Sequence, residues 1–137
     1  MTRATRRRRG ATALELGLTL PVFLALLFAL LDVSWWLWQQ ANLDHAARAG
    51  CRAAAQVNAG GAALGDAQAV ASATVEATLA AARAPCEGGC TVDVVFEGDA
   101  PVRAATCTVT RTLDPLVGLA VRPRAQVARA SAWLEWQ

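Results

Sequence analysis

From Leu14 to Trp38 the chain reads LELGLTLPVFLALLFALLDVSWWLW, an apolar run whose only charged residues are Glu15 and Asp32. At about 25 residues it is long enough to cross a ~30 Å hydrocarbon core as one helix. No other feature restricts the fold as much, because whatever follows must fold on one side of a membrane. Five arginines (Arg3, Arg6, Arg7, Arg8 and Arg9) precede the run, and basic flanks stay in the cytoplasm. The rest of the chain is therefore expected on the exported side. Trp35, Trp36 and Trp38 crowd the far end, where an interfacial aromatic belt is expected; packing in the helix core is their other use. Asp32, near the same boundary, is expected to be solvated. A cleavable secretory signal would need a shorter apolar core and a small-residue cleavage site, which VSWWLWQQ does not offer. The arginine pairs alone suggest twin-arginine export, but no cofactor-binding signature follows them.

Glu15 is the odd residue of the run. An acid in the centre of a membrane helix costs about 2.5–3.5 kcal/mol on insertion scales and by default points to function. It follows an ordered set of parts in residues 6–15, RRRRGATALE: an arginine block, Gly10, then the acid five residues later.

The chain has 137 residues, room for one small domain besides the anchor. Apolar content is 55%, much of it alanine, which fills helices but buries little area. All 13 basic residues are arginine. The formal charge of +2 belongs to the N-terminus: without residues 1–10, eight arginines face 11 acids, a side-chain charge of −3. No nucleic-acid partner is expected, since an arginine block beside an apolar run reads better as the flank of an anchor.

Beyond Trp38 the helical pattern continues, with no proline or turn cluster before Asn58 to Gly61. Leu43, Ala46, Ala47, Gly50, Ala54 and Val57 fall near a 3.6-residue period and form a stripe of mostly small residues. One helix from about Ala11 to Val57 would be roughly 70 Å long, over twice the bilayer core. Its outer half would stand in the periplasm as a spine. Pro21 removes one backbone donor, so a kink or a loosened turn is expected there. A second alanine-rich helix is expected over Leu64 to Ala84, capped by Asp66 and ended by Pro85, lying on the first helix or on a sheet. Composition then shifts to β-branched residues. Thr91 to Phe96 and Ala104 to Thr112 read as strands around the turn residues EGDAP, and Gln126 to Trp136 as a last strand. Leu113 to Val121 reads as an apolar connection with one helical turn. Trp133 and Trp136 are expected to pack in the core, with a partner contact as the alternative. The fold class is α+β: a long transmembrane helix continuing into a small periplasmic domain with a second helix and a three-stranded antiparallel sheet.

Cys51, Cys86, Cys90 and Cys107 all fall on the exported side, where an even count reads as two disulfides stapling a thin core. A two-residue hairpin turn at Gly98-Asp99 would place Cys90 opposite Cys107 and leave Cys51 for Cys86. The glycines of Cys86-Glu-Gly-Gly-Cys90 would instead allow a small closed loop, leaving Cys51 for Cys107. Both pairings stand open. No metal site is expected, because His45 is the only histidine and no second cysteine pair matches C-x3-C. A redox pair would need C-x-x-C. There is no nucleophile elbow, phosphate-cradling loop or metal-binding helix motif, so neither catalysis nor a cofactor is expected. His45, with Asp44 and Arg48, reads as structural on an exposed helix face.

Taken together, Arg9-Gly10-Ala11 with Glu15, Leu20-Pro21, and the patch Ala46-Ala47-Arg48-Ala49-Gly50 resemble the TadE-like minor pilins (pseudopilins) of the tight-adherence, type IVb pilus system. The close resemblance covers residues 6 to about 55; the later part is similar only in pattern. It implies a prepilin leader, residues 1–10, cut after Gly10 by a prepilin peptidase, with Ala11 as the mature N-terminus. Residues 11–57 would then be the transmembrane and spine helix, and 58–137 the periplasmic domain. Glu15 would become the fifth mature residue, able to pair with the free amine of a neighbouring subunit and so offset its own desolvation. Related major pilins usually carry an aromatic after that glutamate, where this chain has Leu16. The implied function is to prime, cap or join a pilus used for surface attachment. The implied partners are the major pilin, other minor pilins, the inner-membrane assembly platform, the peptidase and the lipid bilayer. The implied location is the bacterial inner membrane, single-pass, with a cytoplasmic N-terminus. An anchored periplasmic scaffold whose leader is never cut, and a pseudopilin of a type II-like secretion system, are the competing readings.

Overall fold

The computed structural model describes residues 3–59, 63–86, 89–97, 103–113, 115–118, 120–122 and 124–134. Its first element, α1, runs unbroken over Arg3–Ala59 and includes Pro21. By length and composition α1 can cross a membrane. The helix α2 spans Leu64–Ala81, and three strands follow: β1 Cys90–Glu97, β2 Arg103–Leu113 and β3 Arg124–Leu134. They form one antiparallel sheet in the order β1-β2-β3. The α+β arrangement read from the sequence is the arrangement found.

The outer half of α1 is the backbone of the core. Leu43, Ala46, Ala47 and Ala54 are fully buried on the expected stripe, and Cys51 is fully buried beside it. Against them lie Ala67, Ala71, Val75 and Leu79, spaced four apart so that they form one ridge along α2. The inner face of the sheet closes the other side with Val94, Ala105, Cys107, Val109 and Ala128. Alanine recurs on all three surfaces, and this lets the backbones come close. A Cβ on Gly50 would sit 2.7 Å from Val75 Cγ2 and 3.1 Å from the Ala71 carbonyl oxygen, so only glycine fits where α1 crosses α2. The same alanines bury little apolar area, at roughly 25 cal/mol per Å², so the core is thin.

Covalent and polar ties supplement it. Cys51 is bonded to Cys107, joining α1 to the central strand, and Cys86 to Cys90, closing the small loop before β1. The hairpin pairing is excluded by register: Cys107 lies opposite Val94, Cys90 opposite Arg111, and Glu97 opposite Ala104 rather than Ala100. Gly98-Asp99 lies outside the described residues, as does Trp136. The Gln68 side chain covers the free edge of β1, accepting from the Val94 N–H at 3.1 Å and donating to the Val92 carbonyl.

Four local expectations are corrected. Asp66 does not cap α2; Ala63 is the N-cap, with no side-chain bond, and Asp66 sits in the first turn where an acid suits the helix dipole. The helix stops at Ala81, before Pro85, because Arg83 turns left-handed at φ 54°. The Arg83 N–H then bonds Ala80 O and the Ala84 N–H bonds Leu79 O, the paired closure of a Schellman motif. The described residues between Leu113 and Val121 contain no helical turn. Trp133 is 70% exposed, because the two-residue period of β3 turns Ala128 and Ala130 inward and Val127, Arg129, Ser131 and Trp133 outward.

Candidate functional site

The inner half of α1 has two kinds of surface. From Leu16 to Leu31 its large apolar side chains are exposed, Leu18 at 73% and Val22 at 68% among them. No described residue of the domain covers this half, so its burial has to come from lipid or from other chains. Glu15 is exposed at the start of the same stretch. Beside it, the Thr19 hydroxyl donates to the Glu15 carbonyl at 3.0 Å, a local back-bond of the kind that loosens a helix, close to the donor that Pro21 lacks. Gly10 and Ala11 lie within α1.

At Asp32 the surface changes. Asp32 is not solvated; it is fully buried. Its carboxylate accepts from the Val117 N–H at 2.8 Å and the Ala120 N–H at 3.2 Å, fastening the connection between β2 and β3 onto α1. The reason is geometric. Asp32 shares a helix face with Gln39, Leu43, Ala46 and Gly50, the face that the domain covers. A carboxylate there can offset its desolvation by accepting charge-assisted bonds from backbone donors.

Two more buried polar residues meet at this junction, one from α1 and one from β2. Gln39 is 5% exposed and Arg111 of β2 only 3%. The Arg111 guanidinium donates from Nη2 to Gln39 Oε1 and from Nη1 to the Ala84 carbonyl at 2.9 Å. Burial holds the Arg111 pKa below its ordinary value. Further along, Gln126 of β3 donates to the Trp36 carbonyl at 3.4 Å. Trp35 and Trp36 are half-buried and line a narrow gap with Leu113, Pro115 and Val121. Trp38 is 42% exposed, with its ring centroid 5.0 Å from that of Trp35. Of the three tryptophans, Trp38 is thus the one left open to an interface, while Trp35 and Trp36 also serve the junction. His45 is exposed, as expected.

The junction residues Gln39, Arg111 and Gln126 were not singled out by sequence reasoning. Their signal was positional: each continues an apolar, inward-facing series of its own element. Of the cysteines, the structure brings Cys51 and Cys107 together in the core, with Cα atoms 5.4 Å apart, and Cys86 and Cys90 at its edge.

No curated protein and no solved structure matches this chain. Residues 10–52, about a third of the chain, match the family model described as TadE-like protein, so the stretch holding Gly10-Ala11, Glu15, Leu20-Pro21 and the Ala46–Gly50 patch carries the TadE-like signature that those residues suggested.

Proposed function

We propose that the chain is a minor pilin, or pseudopilin, of a tight-adherence, type IVb pilus, and that it is not an enzyme. The observation that carries this reading is the family match over residues 10–52, which starts at the glycine where the leader would end. Residues 1–10 are the leader, 11–57 the transmembrane and spine helix, and 58–137 the periplasmic domain. The peptidase cuts between Gly10 and Ala11 on the cytoplasmic side of the inner membrane. Glu15 then pairs with the new amine of a neighbouring subunit, which sets the stagger between helices. The exposed apolar half of α1 supports this, since such a surface serves lipid before assembly and neighbouring helices after it. Pro21 loosens the turn next to the carboxylate. Trp35, Trp36 and Trp38 mark the outer membrane boundary of the helix. The major pilin, other minor pilins and the assembly platform are the partners. The chain primes, caps or joins the fibre for surface attachment.

The test is the intact mass of the protein extracted from membranes of its host, with and without the prepilin peptidase. Loss of residues 1–10 only when the peptidase is present is the expected result. A full-length protein in both cases would remove pilin processing and leave an anchored periplasmic scaffold as the better reading.

A further inference from the structure

A cleft of about 310 Å³ lies where α1, the end of α2 and the end of β2 meet. Trp35 and Gln39 line it from α1, Arg83 and Ala84 from the end of α2, and Arg111 from β2. Its charge is one-sided. Arg111 is 3% exposed, both its bonds go to neutral oxygens, and its Nε has no partner. A buried charge is costly unless an opposite charge meets it, and among the described residues no carboxylate bonds to this one. Arg83 adds a second guanidinium, held in a left-handed conformation that glycine would adopt without strain. Two arginines and, among the described lining residues, no acid suit a phosphate, whose oxygens match the guanidinium fork.

Position decides the source of that phosphate. Trp35 lies in the last turn of the apolar run, so the cleft opens at the depth of the outer headgroups if α1 spans the membrane, the reading on which this step rests. We propose that the cleft binds the phosphate of an anionic lipid headgroup, with Arg83 and Arg111 supplying the charge and Trp35 the wall nearest the acyl chains. The domain is thereby seated on the membrane surface by a specific lipid as well as by its anchor.

The test uses the full chain in nanodiscs containing equal phosphatidylglycerol and phosphatidylcholine, released gently and examined by native mass spectrometry. The wild type is expected to retain phosphatidylglycerol over phosphatidylcholine by at least about fivefold, the scale of one arginine at a membrane surface. Arg83→Asn removes an exposed charge and keeps a residue that tolerates the left-handed conformation. It is expected to cut that preference by about fivefold, the share of one arginine. Arg111→Gln is expected to do the same, and Arg83→Asn stays decisive should that variant not fold. Equal retention of both lipids by the wild type overturns the proposal. In a second arm, inorganic phosphate is titrated onto lipid-free protein in neutral detergent while the unfolding temperature is followed. A saturable rise there without a lipid preference assigns the cleft to a free anion and overturns the lipid assignment. A chain that does not insert into nanodiscs at all overturns the membrane reading and this proposal together, whereas insertion without preference overturns only the proposal.

Discussion

Breaking Cys51–Cys107 and breaking Cys86–Cys90 remove the same bond but different constraints. The first pair is separated by 56 residues, the second by 4. On the chain-entropy estimate, closing the long loop is worth about 4 kcal/mol at 25 °C and closing the short one about 2 kcal/mol. Burial widens the gap. Cys51 and Cys107 are 0% and 1% exposed, so replacing them with alanine also takes two sulfur atoms out of the core. Cys86 and Cys90 are only half-buried. Cys51→Ala/Cys107→Ala is thus expected to lose about 4 kcal/mol or more, and Cys86→Ala/Cys90→Ala about 2 kcal/mol. Small domains hold only about 5–15 kcal/mol in total, so the first variant should be near the edge of folding. The assay is urea unfolding of the full chain in mild detergent without reductant, followed by tryptophan fluorescence. Equal losses, or a larger loss from the short loop, would refute the argument that an alanine core depends on its long covalent tie.

At Gly50, alanine gains about 1 kcal/mol of helix propensity but meets the stiff Val75 side chain and the Ala71 backbone, an overpacking cost of about 1–3 kcal/mol. Gly50→Ala is expected to lower the unfolding midpoint modestly and Gly50→Val strongly; a stabilised alanine variant would show that α1 and α2 part freely. Asp32→Ala removes the acceptor of the Val117 and Ala120 N–H groups and should cost about 1–3 kcal/mol, with faster hydrogen exchange at those two amides. Unchanged exchange there would mean that Asp32 does not hold the connection. Trp133→Thr, on the exposed face of β3, should leave stability within about 0.5 kcal/mol, and a loss several times larger would contradict its exposure.

The elements were legible wherever one period ran long enough. The 3.6-residue stripe from Leu43 to Ala54 placed the core face of α1, β-branched runs placed β1 and β2, and alternation placed β3. Both disulfide pairings came from local chemistry, but only register chose between them. That register depends on a connection longer than two residues, and Gly98-Asp99 had suggested a tighter one. Asp32 was misread because its sequence neighbours suggest a membrane boundary, whereas its fate is set by backbone donors 85 and 88 residues away. Arg111 could have been found: Cys107, Val109 and Arg111 alternate inward along β2. Arginine at such a position is ordinarily turned outward, and only Gln39 and Ala84 O make the inward turn tolerable. Trp133 shows the opposite error, since size and apolarity suggested burial while the strand's alternation faced it away from the helices.

The absence of a spacer between anchor and domain has an azimuthal consequence. Asp32, the first buried residue among those described, falls inside the apolar run, so the domain cannot swivel on its helix, and its compass bearing is that of one helix face. At 100° per residue, Glu15 points about 100° around the axis from the line of Asp32, Gln39, Leu43 and Gly50. The carboxylate and the domain thus look in different directions. Inserting one residue between Glu15 and Asp32 would swing the domain by about 100° relative to the carboxylate, whereas seven would return it to within about 20°. The spacing between those two acids is therefore a phase setting as well as a length.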